Sequence, residues 1–166
     1  MHRNYFLFEK QINSLNTLLK PSTISGCFTH RKDELVVIVN SNEEYYLRIG
    51  ISSQTPYMLI EKSYPIKDPS THFFNELNGK NIENFNILPY DKIVDIPVEH
   101  FSLKCVFFGR ERNVFLMDST TKIIQSFKKT EKSTFQISSN STDQILSPFD
   151  LDKIEMPDRE TIFWRI

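Results

Sequence analysis

Apolar residues Tyr5, Phe8, Ile12, Leu15 and Leu19 recur at alternating steps of three and four. That spacing predicts an amphipathic helix from Asn4 to Leu19, and Pro21 forbids its continuation. The stretches "ISGCFTHR" and "ELVVIVN" flank Lys32 and Asp33 and read as an antiparallel hairpin with a polar turn. "EEYYLRIG" and "PYMLIE" extend it into a four-stranded meander. A second short helix is expected across "THFFNELNG", capped by Ser70 or Thr71 and stopped by Gly79. The pattern then returns to strands at roughly 81–88, 91–97, 101–109, 113–118 and 122–127. The fold class is α+β, with helices covering antiparallel sheet.

After Lys128 the chain changes character. "KKTEKSTFQISSNSTDQ" is rich in Ser, Thr, Asn and Lys with two isolated apolar residues, which reads as a polar linker. The expected organisation is a folded domain over 1–130, a linker over 131–147 and a closing segment over 148–166. That last segment regains Phe149, Ile154, Phe163 and Trp164, too apolar for a solvated tail and too short to fold alone. It either docks on the domain or begins a further module.

Composition supports a real core. The chain of 166 residues is 39% hydrophobic and 13% aromatic, with 14 phenylalanines, so it is expected to fold. A net charge of -1 gives no global basic signature, so contact with a nucleic acid has to come from a local patch. Cys27 and Cys105 share no CxxC spacing and each lies in an apolar stretch, which fits reduced thiols in a core and a reducing compartment. No apolar run approaches the roughly 18 residues of a membrane helix, and the N-terminus carries no secretion pattern. A soluble, cytoplasmic protein is expected.

Catalytic chemistry is poorly represented. His2, His30, His72 and His100 form no metal-binding spacing with one another or with a cysteine. GxSxG, GxGxxG and Gly-rich phosphate loops are absent, and there are only four glycines. Glu43-Glu44 and Asp150/Asp152 read as solvated carboxylates rather than acid-base pairs. The aromatics at Tyr5, Phe6 and Phe8, or at Phe73 and Phe74, suit either base stacking or core packing. Two turns remain: Pro89-Tyr90-Asp91-Lys92, and Gly109 to Asn113. If both lie at one end of a sheet, they present Lys92, Arg110 and Arg112 together, a cluster suited to phosphate. A merely solvated pair of turns is the alternative.

The segment "YDKIVDIPVEHFSLKCVFFGRERNVFLMDSTTKIIQSFK" resembles the end of the NFACT-N domain. "FLFEKQINSLNTLL" is similar to that domain's opening helix, and "KDELVVIV" to one of its strands. The resemblance runs from about residue 2 to 129, with an opening "MHRNYFLF" similar to Bacteroidetes-like relatives. The family comprises the RqcH and NEMF proteins, known also as fibronectin-binding protein A homologues. The resemblance implies a sandwich-like fold similar to the N-terminal domain of formamidopyrimidine-DNA glycosylases. It also implies a non-catalytic role in ribosome-associated quality control, binding tRNA and the large ribosomal subunit with peptidyl-tRNA while stalled chains are tailed. Neither DNA, a membrane, a metal nor a cofactor is expected. Those glycosylases expose an N-terminal proline as nucleophile, whereas this chain begins Met1-His2-Arg3, so base excision is disfavoured.

The family's Asp-Arg pair, implicated in tRNA handling, falls on Asp91 and Lys92, keeping the charge without the planar fork. Arg110, Arg112 and Asn113 occupy the family's "GRxSN" turn, and Arg3 and Asn4 open the first helix, where the family often has Asp. These seven residues are the expected RNA-binding set. A basic stretch of the family's second helix reads "FFNELNG" here, so much of a basic surface is gone. Three readings follow: a tRNA and ribosome adaptor, a protein-interaction module with a decayed nucleic-acid surface, and an enzyme acting on nucleic acid. The adhesive role in the fibronectin label is not expected.

Overall fold

A computed structural model describes residues 3–52, 54–66, 70–88, 93–109 and 112–129, with the main chain alone over 3–7. The chain divides at Thr130–Glu131 into two units, and everything described lies in the first. The expected linker and closing segment, 131–166, lie outside the described residues.

Helix α1 spans Arg3–Leu18. Of its predicted stripe, Phe8, Ile12, Leu15 and Leu19 face the core and the Tyr5 side chain lies outside the described residues, while Leu18 is exposed. A reciprocal pair of bonds fixes the helix laterally. Asn16 donates from Nδ2 to the Phe85 carbonyl at 2.8 Å and accepts the Phe85 N–H at 2.7 Å.

The predicted meander forms as β1 (Ser22–Arg31), β2 (Glu34–Asn40), β3 (Glu44–Gly50) and β4 (Tyr57–Glu61), each antiparallel to the next. Short strands follow at β5 (Thr71–His72), β6 (Asn81–Ile82) and β7 (Asn86–Ile87), then β8 (Ile93–Val98), β9 (Phe101–Val106), β10 (Asn113–Asp118) and β11 (Ile123–Ser126). Hydrogen bonds order them β11-β10-β9-β8-β6-β1-β2-β3-β4, with β5 on β1 and β7 on β8. One apolar cluster joins both ends of that order: Leu35, Val37 and Val39 of β2 pack in the same core as Val94, Ile96, Leu103 and Leu116. The sheet therefore curls over itself in sandwich fashion, as the Phe73 and Phe127 rings confirm by meeting edge to face at 5.0 Å. A smaller cluster of Phe28, Val36 and Tyr46 occupies the outer face.

Two expectations change in detail. The second helix is a single 3-10 turn over Asn75–Leu77. Ahead of it Thr71 and His72 are drawn into pairing with β1, and Phe74 takes a left-handed conformation (φ 51°) that helix geometry excludes. That conformation turns the Phe74 ring fully into the core and aims its N–H at the Gln125 side-chain oxygen, 3.0 Å away. The strand expected at 81–88 divides into β6 and β7, because Phe85 between them enters the core and gives its main chain to Asn16.

Cys27 and Cys105 are free thiols in the core. Burial pushes the Cys27 thiol up to about 12 and that of Cys105 above the ordinary range too, so both are unreactive as nucleophiles. Among the described residues no helix is long and apolar enough to cross a membrane, and no group of three His, Cys, Asp or Glu is placed to hold a metal.

Candidate functional site

Ile93 pairs with Val106, and Val106 with Asn113, so the start of β8, the end of β9 and the start of β10 form one row. The Phe127 N–H bonds to the Val114 carbonyl, which brings the end of β11 beside that row. The start of β8, the end of β9, the start of β10 and the end of β11 thus lie at one end of the sheet. The β1–β2 turn joins them there, since Lys128 Nζ contacts Asp33 Oδ1 at 2.6 Å. Asp91, Lys92 and Arg110 lie outside the described residues, as do the side chains of Arg3 and Asn4.

Asn113 is 2% exposed, and its amide is taken up by main chain. Nδ2 donates to the Lys128 carbonyl at 2.9 Å, and Oδ1 accepts the N–H groups of Lys128 at 2.8 Å and Val114 at 2.9 Å. The position demands a short amide, since only a side chain that donates and accepts at once satisfies both groups of Lys128. Asn113 is therefore a pin that sets where Lys128 and Lys129 emerge. Replacing it with alanine leaves the Lys128 N–H without its acceptor, while the Ser126 hydroxyl still reaches the Lys128 carbonyl at 2.9 Å, and is expected to cost about 2 kcal/mol. Urea unfolding monitored by circular dichroism measures this, and a loss under roughly 0.5 kcal/mol contradicts the role.

The charge at this end is mostly positive. Asp33 is held below the ordinary carboxylate value chiefly by its hydrogen bond to Lys128, against the opposing effect of burial, and further by the charges of Lys128, Lys32 and Arg112. One carboxylate thus sits among three cations, with exposed Lys129 next along the chain. Arg112 is half-buried and Lys32 exposed. Such a surface offers ammonium and guanidinium donors to an anionic partner. Lys32, Asp33, Lys128 and Lys129 escape a reading by turns, because the first pair reads as a hairpin loop and the second as the start of a linker.

A second polar centre lies on the outer face. Glu34, 3% exposed, receives Arg48 Nη2 at 2.6 Å and Nε at 3.1 Å, together with the hydroxyls of Tyr57 and of Tyr64, the latter at 2.9 Å. Arg48 also reaches Glu61 at 2.7 Å and lies over the Tyr64 ring, 5.4 Å from its centre. Burial pushes the Glu34 carboxyl up, but the donors from Tyr57, Arg48 and Tyr64 together outweigh it, and the net displacement is downward. Gly50 is required alongside: a Cβ there would come within 2.4 Å of the Tyr57 ring. With Arg48, Tyr57 and Tyr64 all donating to the Glu34 carboxylate, this centre ties Tyr64 and its neighbours onto the sheet.

The family described as NFACT N-terminal and middle domains matches residues 4–140. The N-terminal domain of the fibronectin-binding protein PavA from Streptococcus pneumoniae is similar in structure, with a TM-score of 0.70 at 21% identity, over 95% of this chain and 69% of that one. The N-terminal part of the fibronectin/fibrinogen-binding protein from Streptococcus suis gives 0.64 at 22% identity, over 74% of this chain and 52% of that one. The fibrinogen binding protein from Staphylococcus aureus gives 0.62 at 19%, over 75% and 49%. The chain spans about half the length of the latter two, and at these identities the likeness is one of fold. No curated protein sequence matches.

Proposed function

The chain belongs to the family of NFACT N-terminal and middle domains, and from that premise we propose that it is a non-catalytic RNA-binding domain. Its partners in this reading are tRNA and the large ribosomal subunit blocked by peptidyl-tRNA, within a quality-control factor that tails stalled chains. The observation that carries the reading is local: Lys32, Arg112, Lys128 and Lys129 gather at one end of a chain whose net charge is -1. A cluster of cations on a near-neutral protein marks one face for a polyanion. In sequence Lys92 precedes Ile93 and Arg110 lies between Val106 and Asn113, and those three residues share that end of the sheet.

The expected result for Lys92→Glu is about tenfold weaker tRNA binding by fluorescence anisotropy, with an unchanged thermal midpoint. Unchanged affinity in a folded variant removes Lys92 from the surface. A protein-interaction module is the second reading, favoured by the outer edge of β4, where the strand order ends and Leu59 is 42% exposed, with Ile66 at 56% nearby in sequence. The similar solved structures bear names that speak of fibronectin and fibrinogen binding. Salt-insensitive binding of a protein partner favours this alternative, since phosphate contacts weaken steeply with salt.

A further inference from the structure

We propose that the groove between the β1–β2 turn and the end of β11 holds one unpaired RNA nucleotide, its base against Phe73 and its phosphates between Lys32 and Lys129. This rests on the RNA-binding reading above and assigns it a subsite. The groove has a volume of about 410 Å³ and is lined by Thr29, Lys32, Asp33, Phe73, Phe127 and the Lys128–Lys129 pair. That volume is within the range of sites that enclose small ligands.

The two adjacent phenylalanines have parted company. Phe74 is fully buried, whereas Phe73 is only half-buried and contributes to the groove wall. Its main chain is anchored by an N–H bond to the Cys27 carbonyl at 2.9 Å, and its ring is braced edge to face on Phe127. A braced ring loses little freedom when a base stacks on it, and every base offers a face, so such contact tolerates any sequence.

The cations divide in a similar way. Lys128 is paired with Asp33, while among the described residues neither Lys32 nor Lys129 forms an ion pair. Lysines act as mobile point charges toward phosphate, which suits a flexible single strand better than a fixed bidentate fork. An aromatic wall bordered by ammonium groups thus matches the two halves of a nucleotide. Double-stranded RNA keeps its bases stacked on one another and leaves the wall unused.

The test uses the full chain, a fluorescein-labelled unstructured RNA decamer, an abasic decamer of equal charge, and a tRNA control. The wild type is expected to bind the base-containing decamer at least about fivefold more tightly than the abasic one. Phe73→Leu should bring the two to the same level without altering abasic affinity, and Phe73→Tyr should restore the difference. Lys32→Glu combined with Lys129→Glu should weaken both strands alike and reduce the salt slope by about 1.4, at roughly 0.7 per phosphate contact. Equal binding of the two decamers by the wild type, or no effect of Phe73→Leu, overturns the subsite while salt-sensitive tRNA binding leaves the broader reading standing. Failure to bind tRNA at all overturns both.

Discussion

Replacing Glu34 with alanine is expected to destabilise the folded unit by about 3 kcal/mol, the lower end of the cost of stripping one partner from a buried ion pair. The lower end applies because Arg48 keeps Glu61 and a side-chain exposure of 20%, so water partly replaces what is lost. The hydroxyls of Tyr57 and Tyr64 lose their acceptor in the same step. For a domain of this size the thermal midpoint falls by roughly 10 °C. The effect depends on pH in a definite direction. The folded carboxyl titrates below its ordinary 4.5, so its stabilisation is complete above that value and disappears as pH falls through the folded value. Glu34→Gln removes the titrating group and keeps the shape. The gap between wild type and Glu34→Gln should be widest near neutrality and close below about pH 4.5. Calorimetry across that range measures it, and a gap that ignores pH would show that the charge on Glu34 contributes nothing.

The second large effect concerns binding. Lys32→Glu together with Lys129→Glu changes the local charge by four units and should weaken tRNA binding about 100-fold near physiological salt. Stability should hardly change, because both side chains are exposed and Lys32 interacts with Asp33 only through its charge. The same variant carries a sharp contrast with the protein-interaction reading, in which the outer edge of β4 carries the contact and these lysines are irrelevant. Anisotropy with labelled tRNA separates the two, and an affinity within twofold of wild type would remove this end of the fold from the interface.

Local pattern reveals much of this architecture because its strongest signals are local. The α1 stripe at Phe8, Ile12, Leu15 and Leu19 needs only helical spacing, and the β1–β4 meander needs only strands separated by short polar turns. Pattern fails where distant residues compete. "THFFNELNG" carries helix signals, yet β1 recruits Thr71 and His72, and Gln125 accepts the N–H of Phe74. Residues 81–88 have the apolar content of one strand, but Asn16 of the helix captures Phe85 and breaks it.

The candidate site shows the same division. That the two turns share one end of a sheet was only a condition in the sequence; in the structure Ile93, Val106 and Asn113 form one row. Asn113, grouped by motif with the binding residues, has its amide occupied by Lys128 and Val114 instead. The Lys128–Asp33 contact that assembles the positive end joins residues far apart in sequence, and only the curl of the sheet brings them together. Phe73 and Phe74 look interchangeable in the chain; the left-handed turn at Phe74 assigns one to the core and the other to the groove.

This positive end is the surface proposed to meet RNA. Amide chemical-shift mapping by NMR, with the labelled full chain titrated with tRNA, tests it most directly. Salt-sensitive perturbations are expected at Lys32, Asp33, Phe73, Arg112, Lys128 and Lys129, with the β4 edge undisturbed. Perturbations confined to β4 and the residues around Leu59, or none at tRNA concentrations well above the protein, would contradict it.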